Sequence, residues 1–204
     1  NAAQWYERYA REFPSAAAPL QNFMTRGEDD AIEYRDDCTA EELADPDGCA
    51  VGRLALENAV FFRLGLGDET NIATAIEDAH LYERNYRREF PRETSQVIFS
   101  LGAIYERAED WGHVFTHYHT WMRDYGRRGL PHEVIRAHVQ MGRAEWESDE
   151  RDQAETHFRA AVRVWEHDAA GAIAGAEGTD DQRALWLARA KDAVSEAYFY
   201  LAEY

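Results

Sequence analysis

The chain reads as an all-α protein, a right-handed solenoid of antiparallel helix hairpins, and three observations predict it. Apolar residues recur at helical spacing, while prolines and glycines gather at a few breaks. Leu101, Gly102, Tyr105, Val114, Tyr118 and Trp121 are answered 40 positions later by Met141, Gly142, Glu145, Ala154, Phe158 and Ala161. Self-similarity at such a period marks units that cannot bury an apolar face alone and stack on their neighbours. The composition supplies the core, since 45% of the 204 residues are hydrophobic and 13% aromatic.

The pattern places helices near 3–12, 16–26, 50–65, 71–89, 94–108, 111–125, 132–147, 151–167 and 181–203. Arg11-Glu12-Phe13-Pro14 recurs as Arg88-Glu89-Phe90-Pro91, and Leu130-Pro131 follows 40 residues after Pro91. Proline lacks a backbone donor and disfavours helical geometry in the residue before it, so these sites read as helix stops. Thr70 or Asn71, and Thr179, are the candidate N-caps. The short turns Glu109-Asp110 and Ser148-Asp149 favour antiparallel hairpins, giving clear repeat units at 92–131 and 132–168.

Two segments break the rhythm. Residues 27–49 form an acidic insertion with Asp29, Asp30, Asp36, Asp37 and the turn Asp45-Pro46-Asp47-Gly48; residues 168–180 read as an alanine-glycine loop. The whole, 1–204, is expected to be a single repeat domain cut from a longer protein, because it opens at Asn1-Ala2-Ala3 and stops at Tyr204 inside a helical run. Asn1-Ala2 is compatible with a tag remnant.

The net charge of −17 opposes phosphate backbones and anionic lipid, so nucleic acid and membrane surfaces are disfavoured partners. No apolar run reaches membrane-spanning length. Lys191 is the sole lysine among 22 basic residues, a bias that reads as the codon usage of a GC-rich genome.

The run Ile98, Leu101, Gly102, Tyr105, then Val114, Tyr118, Trp121 resembles the tetratricopeptide repeat, whose first helix carries Trp or Leu, Leu, Gly and Tyr and whose second carries Ala, an aromatic and Ala. Met141, Gly142, Ala154, Phe158 and Ala161 keep the same offsets, whereas His138 and Glu145 stand where that family usually places large apolar residues. The resemblance covers 92–167 well and 50–91 loosely, through Ala75, Ala79 and Pro91; the period of 40 exceeds the family's usual value of about 34. It implies a groove lined by the first helices of successive hairpins, matching Gln96, Phe99, Ala103 and Glu106, then Arg136, Val139, Gln140, Arg143 and Trp146. The expected role is a non-catalytic scaffold or adaptor of a larger bacterial protein, holding another protein or peptide without a cofactor. A structural spacer that positions flanking domains is the alternative, and the arginines then simply pair with nearby carboxylates on a solvated face.

Other constellations carry less. His113 and His117 lie four apart with His119 following, a spacing that suits a metal or packing beside the core; no His-Glu-x-x-His motif accompanies them, and a metal-dependent enzyme is the third reading. Cys38 and Cys49 are placed to close a polar loop as a disulfide or to stand as free thiols, and the disulfide would point to an extracytoplasmic compartment such as the periplasm or cell envelope. The aspartates of the insertion lack a calcium-loop spacing, and no nucleophile elbow, phosphate loop or dinucleotide fingerprint occurs. Trp5, Trp111, Trp121, Trp165, Trp186, Tyr198 and Tyr200 fall at helical spacings and read as packing. On the last helix, Ala193, Ala197, Tyr198, Leu201 and Tyr204 form a face with no covering helix, suited to a following helix or to self-association.

Overall fold

A computed structural model describes residues 48–167 and 169–203, with side chains from residue 56 onward. Every regular element among them is an α-helix, so the protein is all-α there. The helices are α1 (Gly48–Leu66), α2 (Glu69–Tyr86), α3 (Pro91–Ser100), α4 (Gly102–Arg107), α5 (Trp111–Tyr125), α6 (Pro131–Glu147), α7 (Arg151–Glu166), α8 (Ala169–Ala174) and α9 (Asp180–Glu203). They fall into two compact units that divide between Phe90 and Pro91. The helices expected at 3–12 and 16–26, the acidic insertion up to Asp47, and Cys38 lie outside the described residues.

The first unit contains the hairpin α1–α2. Leu56, Val60 and Leu64 of α1 pack with Ala75, Ala79 and Tyr82 of α2, all buried. The turn uses Gly67 at φ +73°, a left-handed position where glycine has no Cβ to clash. The next residue, Asp68, is the N-cap of α2 and accepts from the Asn71 amide at 3.1 Å. The cap is therefore Asp68, not Thr70 or Asn71: a carboxylate just outside the first turn meets the exposed amides that those residues, already inside the helix, cannot reach. Asp78 is buried yet paired with Arg63, and Tyr82 donates to Glu57 at 3.3 Å.

The second unit holds the two repeat units. Pro91 and Pro131 are the first residues of α3 and α6, so these prolines open helices rather than only ending them, at the position whose missing N–H is spare anyway. Between α3 and α4 the ladder tightens at Leu101, whose N–H reaches back three residues to Ile98 at 3.2 Å. The two hairpins share one joint. Glu109 and Asp149 take φ +52° and +63°, and the following amides, of Asp110 and Glu150, bond the carbonyls of Tyr105 and Glu145 at 3.0 and 2.8 Å. This is the Schellman end of a helix, repeated 40 residues on.

The repeat also governs packing. A Cβ on Gly142 would lie 2.8 Å from Cε1 of Phe158, and one on Gly102 would run into the ring and hydroxyl of Tyr118, so both glycines exist to seat an aromatic of the second helix. Trp121 donates from Nε1 to the Ser95 carbonyl at 2.9 Å, both buried. At the matching positions Ala161 and Ile135 exchange large for small and small for large, and the hydrogen bond goes with the indole.

α9 covers α6 and α7, burying Ala190, Ala193, Val194 and Ala197 in one cluster with Ile135, Val139, Phe158 and Ile173. Residues 169–174, expected as loop, form α8 because Ala169 and Ile173 insert into this cluster. Thr179 caps α9 as the spacing predicts: its Oγ1 accepts from the Gln182 amide at 3.2 Å, while the Gln182 side chain accepts from the Thr179 amide at 2.8 Å.

Candidate functional site

The face carrying the first helices of the second unit is built from α3, α4, α6 and α9. Arg136 of α6 donates to Glu106 of α4 at 2.6 Å, and the Tyr118 hydroxyl donates to the other oxygen of that carboxylate. Burial, reinforced by Glu106, holds the Tyr118 phenol well above its usual range, so it remains a donor. Arg143 lies 4.7 Å over the Trp111 ring and 3.9 Å from Glu196 of α9. Both arginines foreseen as groove cations are thus tied into the fold while part of each side chain stays exposed, 47% for Arg136 and 36% for Arg143.

The other foreseen groove residues divide. Phe99 is half-buried edge-on against Tyr118 and Trp121, with ring centres 5.2 and 4.8 Å away. Ala103 is half-buried. Val139 and Gln140 are buried, the first in the core and the second with its Oε1 lacking a partner among the described residues. Trp146 is half-buried, covered by the Arg151 guanidinium at 3.7 Å and packed on Tyr200 at 5.2 Å. Gln96 lines a cleft of about 290 Å³.

That cleft lies between Arg92, Glu93 and Gln96 of α3 and Glu177, Gln182 and Trp186 at the entry to α9. Arg92 donates to the Glu177 carbonyl at 3.4 Å and sits 5.7 Å over Trp186. The other face of the α3–α9 junction is His132, stacked on Trp186 at 6.0 Å and nearly parallel. Burial, then the charges of Arg189, Arg136 and Arg92, pull His132 down to about 4. Arg92, Arg189, His132 and Trp186 were not singled out from the sequence as binding residues; only their spacing across two distant segments would have linked them.

His113 donates from Nδ1 to the Asp110 carboxylate, 2.7 Å away, and stacks on Tyr105. Its backbone amide also donates to the Asp110 side chain that caps α5. His117 packs on Tyr105 and Tyr118, and His119 on Phe115. Among the described residues no three His, Cys, Asp or Glu side chains are grouped to hold a metal ion. Cys49 lies in the first turn of α1, and its expected partner Cys38 lies outside the described residues. On α9, Ala193 and Ala197 point into the core, whereas Leu185, Tyr198 and Phe199 are the exposed large apolar groups. No described helix is long and apolar enough to cross a membrane. The chain matches no family model, no curated protein and no solved structure.

Proposed function

We propose that this chain is a non-catalytic scaffold or adaptor segment of a larger bacterial protein, its hairpins stacking as a right-handed, tetratricopeptide-like solenoid. The partner is another protein or peptide segment that lies along the α3–α6–α9 face, with no cofactor and no nucleic acid. One observation carries the reading: in a chain of net charge −17, Arg92 sits 5.7 Å over the Trp186 ring in the α3–α9 cleft, His132 stacks on the same indole, and Arg189 is near enough for its charge to lower His132. Arginine and tryptophan are among the residue types enriched where binding energy concentrates at protein interfaces. The spacer alternative draws its support from Arg136 and Arg143, which already have internal carboxylate partners.

Affinity capture from native extract with the parent chain and with Arg92→Glu, Arg189→Glu tests the proposal, circular dichroism confirming equal helicity. A partner held by the parent and lost by the variant supports the face. Equal capture by both removes it, and capture by neither favours the spacer.

A further inference from the structure

Two of the places where the second hairpin departs from the first, His138 for Ile98 and Glu145 for Tyr105, are joined in space through His157. His138 Nδ1 on α6 lies 3.2 Å from His157 Nδ1 on α7, and His157 Nε2 lies 3.7 Å from Glu145 Oε1. The result is a chain of carboxyl, imidazole and imidazole between the paired helices, closed over by Phe115 edge-on to His157 at 6.1 Å.

One proton fits between the facing Nδ1 atoms, because one nitrogen must donate and the other accept. A second proton there opposes two N–H groups and two like charges. We propose that His138, His157 and Glu145 form an acid-sensitive latch between α6 and α7, closed while the imidazoles share one proton and released when both are charged.

The surroundings favour the closed state at neutral pH. Burial, followed by His157 and Arg163, pulls His138 down to about 4; burial and His119 of α5 lower His157. Burial and Glu150 lift Glu145 to about 7. α8 brings no charged side chain, and α9 directs Arg189 toward His132 and Glu196 toward Arg143. Each imidazole lowered on folding contributes stability that is present above about pH 6.5 and lost as pH falls toward its folded value. The raised carboxyl works oppositely, losing stability as pH rises through about 7. The two imidazoles thus lose stability in acid while Glu145 works against them. Replacing His138 by isoleucine, the residue of the first hairpin, removes the His138 share of the acid loss.

The test compares thermal midpoints of the full chain and of His138→Ile at pH 7.5 and pH 5. The parent midpoint is expected to drop by about 5 °C more than that of the variant. Equal drops overturn the latch. Nitrogen NMR titration of the unaltered chain's imidazoles, assigned with His157→Gln, keeps the test decisive if the isoleucine variant folds poorly. Both imidazoles should titrate below the ordinary 6.5, and titration of both at 6.5 overturns the proposal.

Discussion

At the scale of single residues, the glycines at repeat-equivalent positions set how closely the paired helices approach. Phe158 cannot retreat from a new methyl group on Gly142, because its opposite side stacks on Tyr200 at 4.7 Å and the ring is buried. Gly142→Ala is therefore expected to destabilise by about 1–3 kcal/mol in urea denaturation. Trimming the ring with Phe158→Leu should make the added alanine cheaper than it is in the parent, a positive coupling in a double-mutant cycle. Glu133 acts differently, through its charge. It is buried, accepts the Leu130 amide at 2.7 Å, and is lifted by burial to about 7. A carboxyl raised on folding contributes stability that is present below its unfolded value of about 4.5 and lost as pH rises through about 7. Glu133→Gln keeps the acceptor without the charge, so its stability relative to the parent should improve by about 2–3 kcal/mol between pH 5 and pH 8, read from denaturation midpoints at each pH.

At the scale of elements, the hairpin joints show what a linear pattern conveys and what it hides. The position of each turn was legible, since Glu109-Asp110 and Ser148-Asp149 interrupt helical periodicity. That the turns take left-handed backbone at Glu109 and Asp149 was not, because neither is the glycine that such a position usually announces. The first unit uses Gly67 for the equivalent task. Glu109→Gly should thus raise stability by about 0.5–1 kcal/mol, checked by urea unfolding, while the same change in mid-helix would lower it. Capping chemistry was legible at Thr179, where threonine and Gln182 stand three apart, and Thr179→Ala should cost about 1 kcal/mol and fray the start of α9 in amide exchange. It misled at Thr70 and Asn71, because Asp68 lies just as near the boundary and only the backbone path decides which residue is outside the helix. α8 escaped because a run of alanine and glycine has no amphipathic signal of its own; two inward residues, Ala169 and Ile173, make it a helix only once α6, α7 and α9 surround them. Register alone places Val139 and Gln140 beside Arg136 and Arg143 but cannot foresee that the former pair is buried, Val139 in the cluster that α9 closes.

At the scale of the whole molecule, the division between Phe90 and Pro91 bears on how the chain unfolds. The second unit owns a continuous cluster running from Ile135 and Val139 through Phe158 to Ala190 and Ala197. Its hairpins are tied to each other by Arg136 and Glu106, and α9 closes one side. An all-α unit of local hairpins with its own core satisfies the conditions for folding alone. A fragment spanning Pro91–Tyr204 is accordingly expected to keep the helicity of the same residues in the full chain and to melt in a single transition. Far-ultraviolet dichroism gives the first quantity, and coincidence of the dichroism melt with tryptophan fluorescence gives the second, since the five tryptophans of 91–204 include Trp121, buried on α5 and bonded to Ser95 of α3 in the first hairpin, and Trp186 at the α9 junction. Two separated transitions would mean that the hairpins and α9 unfold independently, and the shared cluster would then be too weak to couple them. A single one makes the α3–α6–α9 face a preformed surface, which matters for binding because a partner then meets ordered side chains and pays little to fix them.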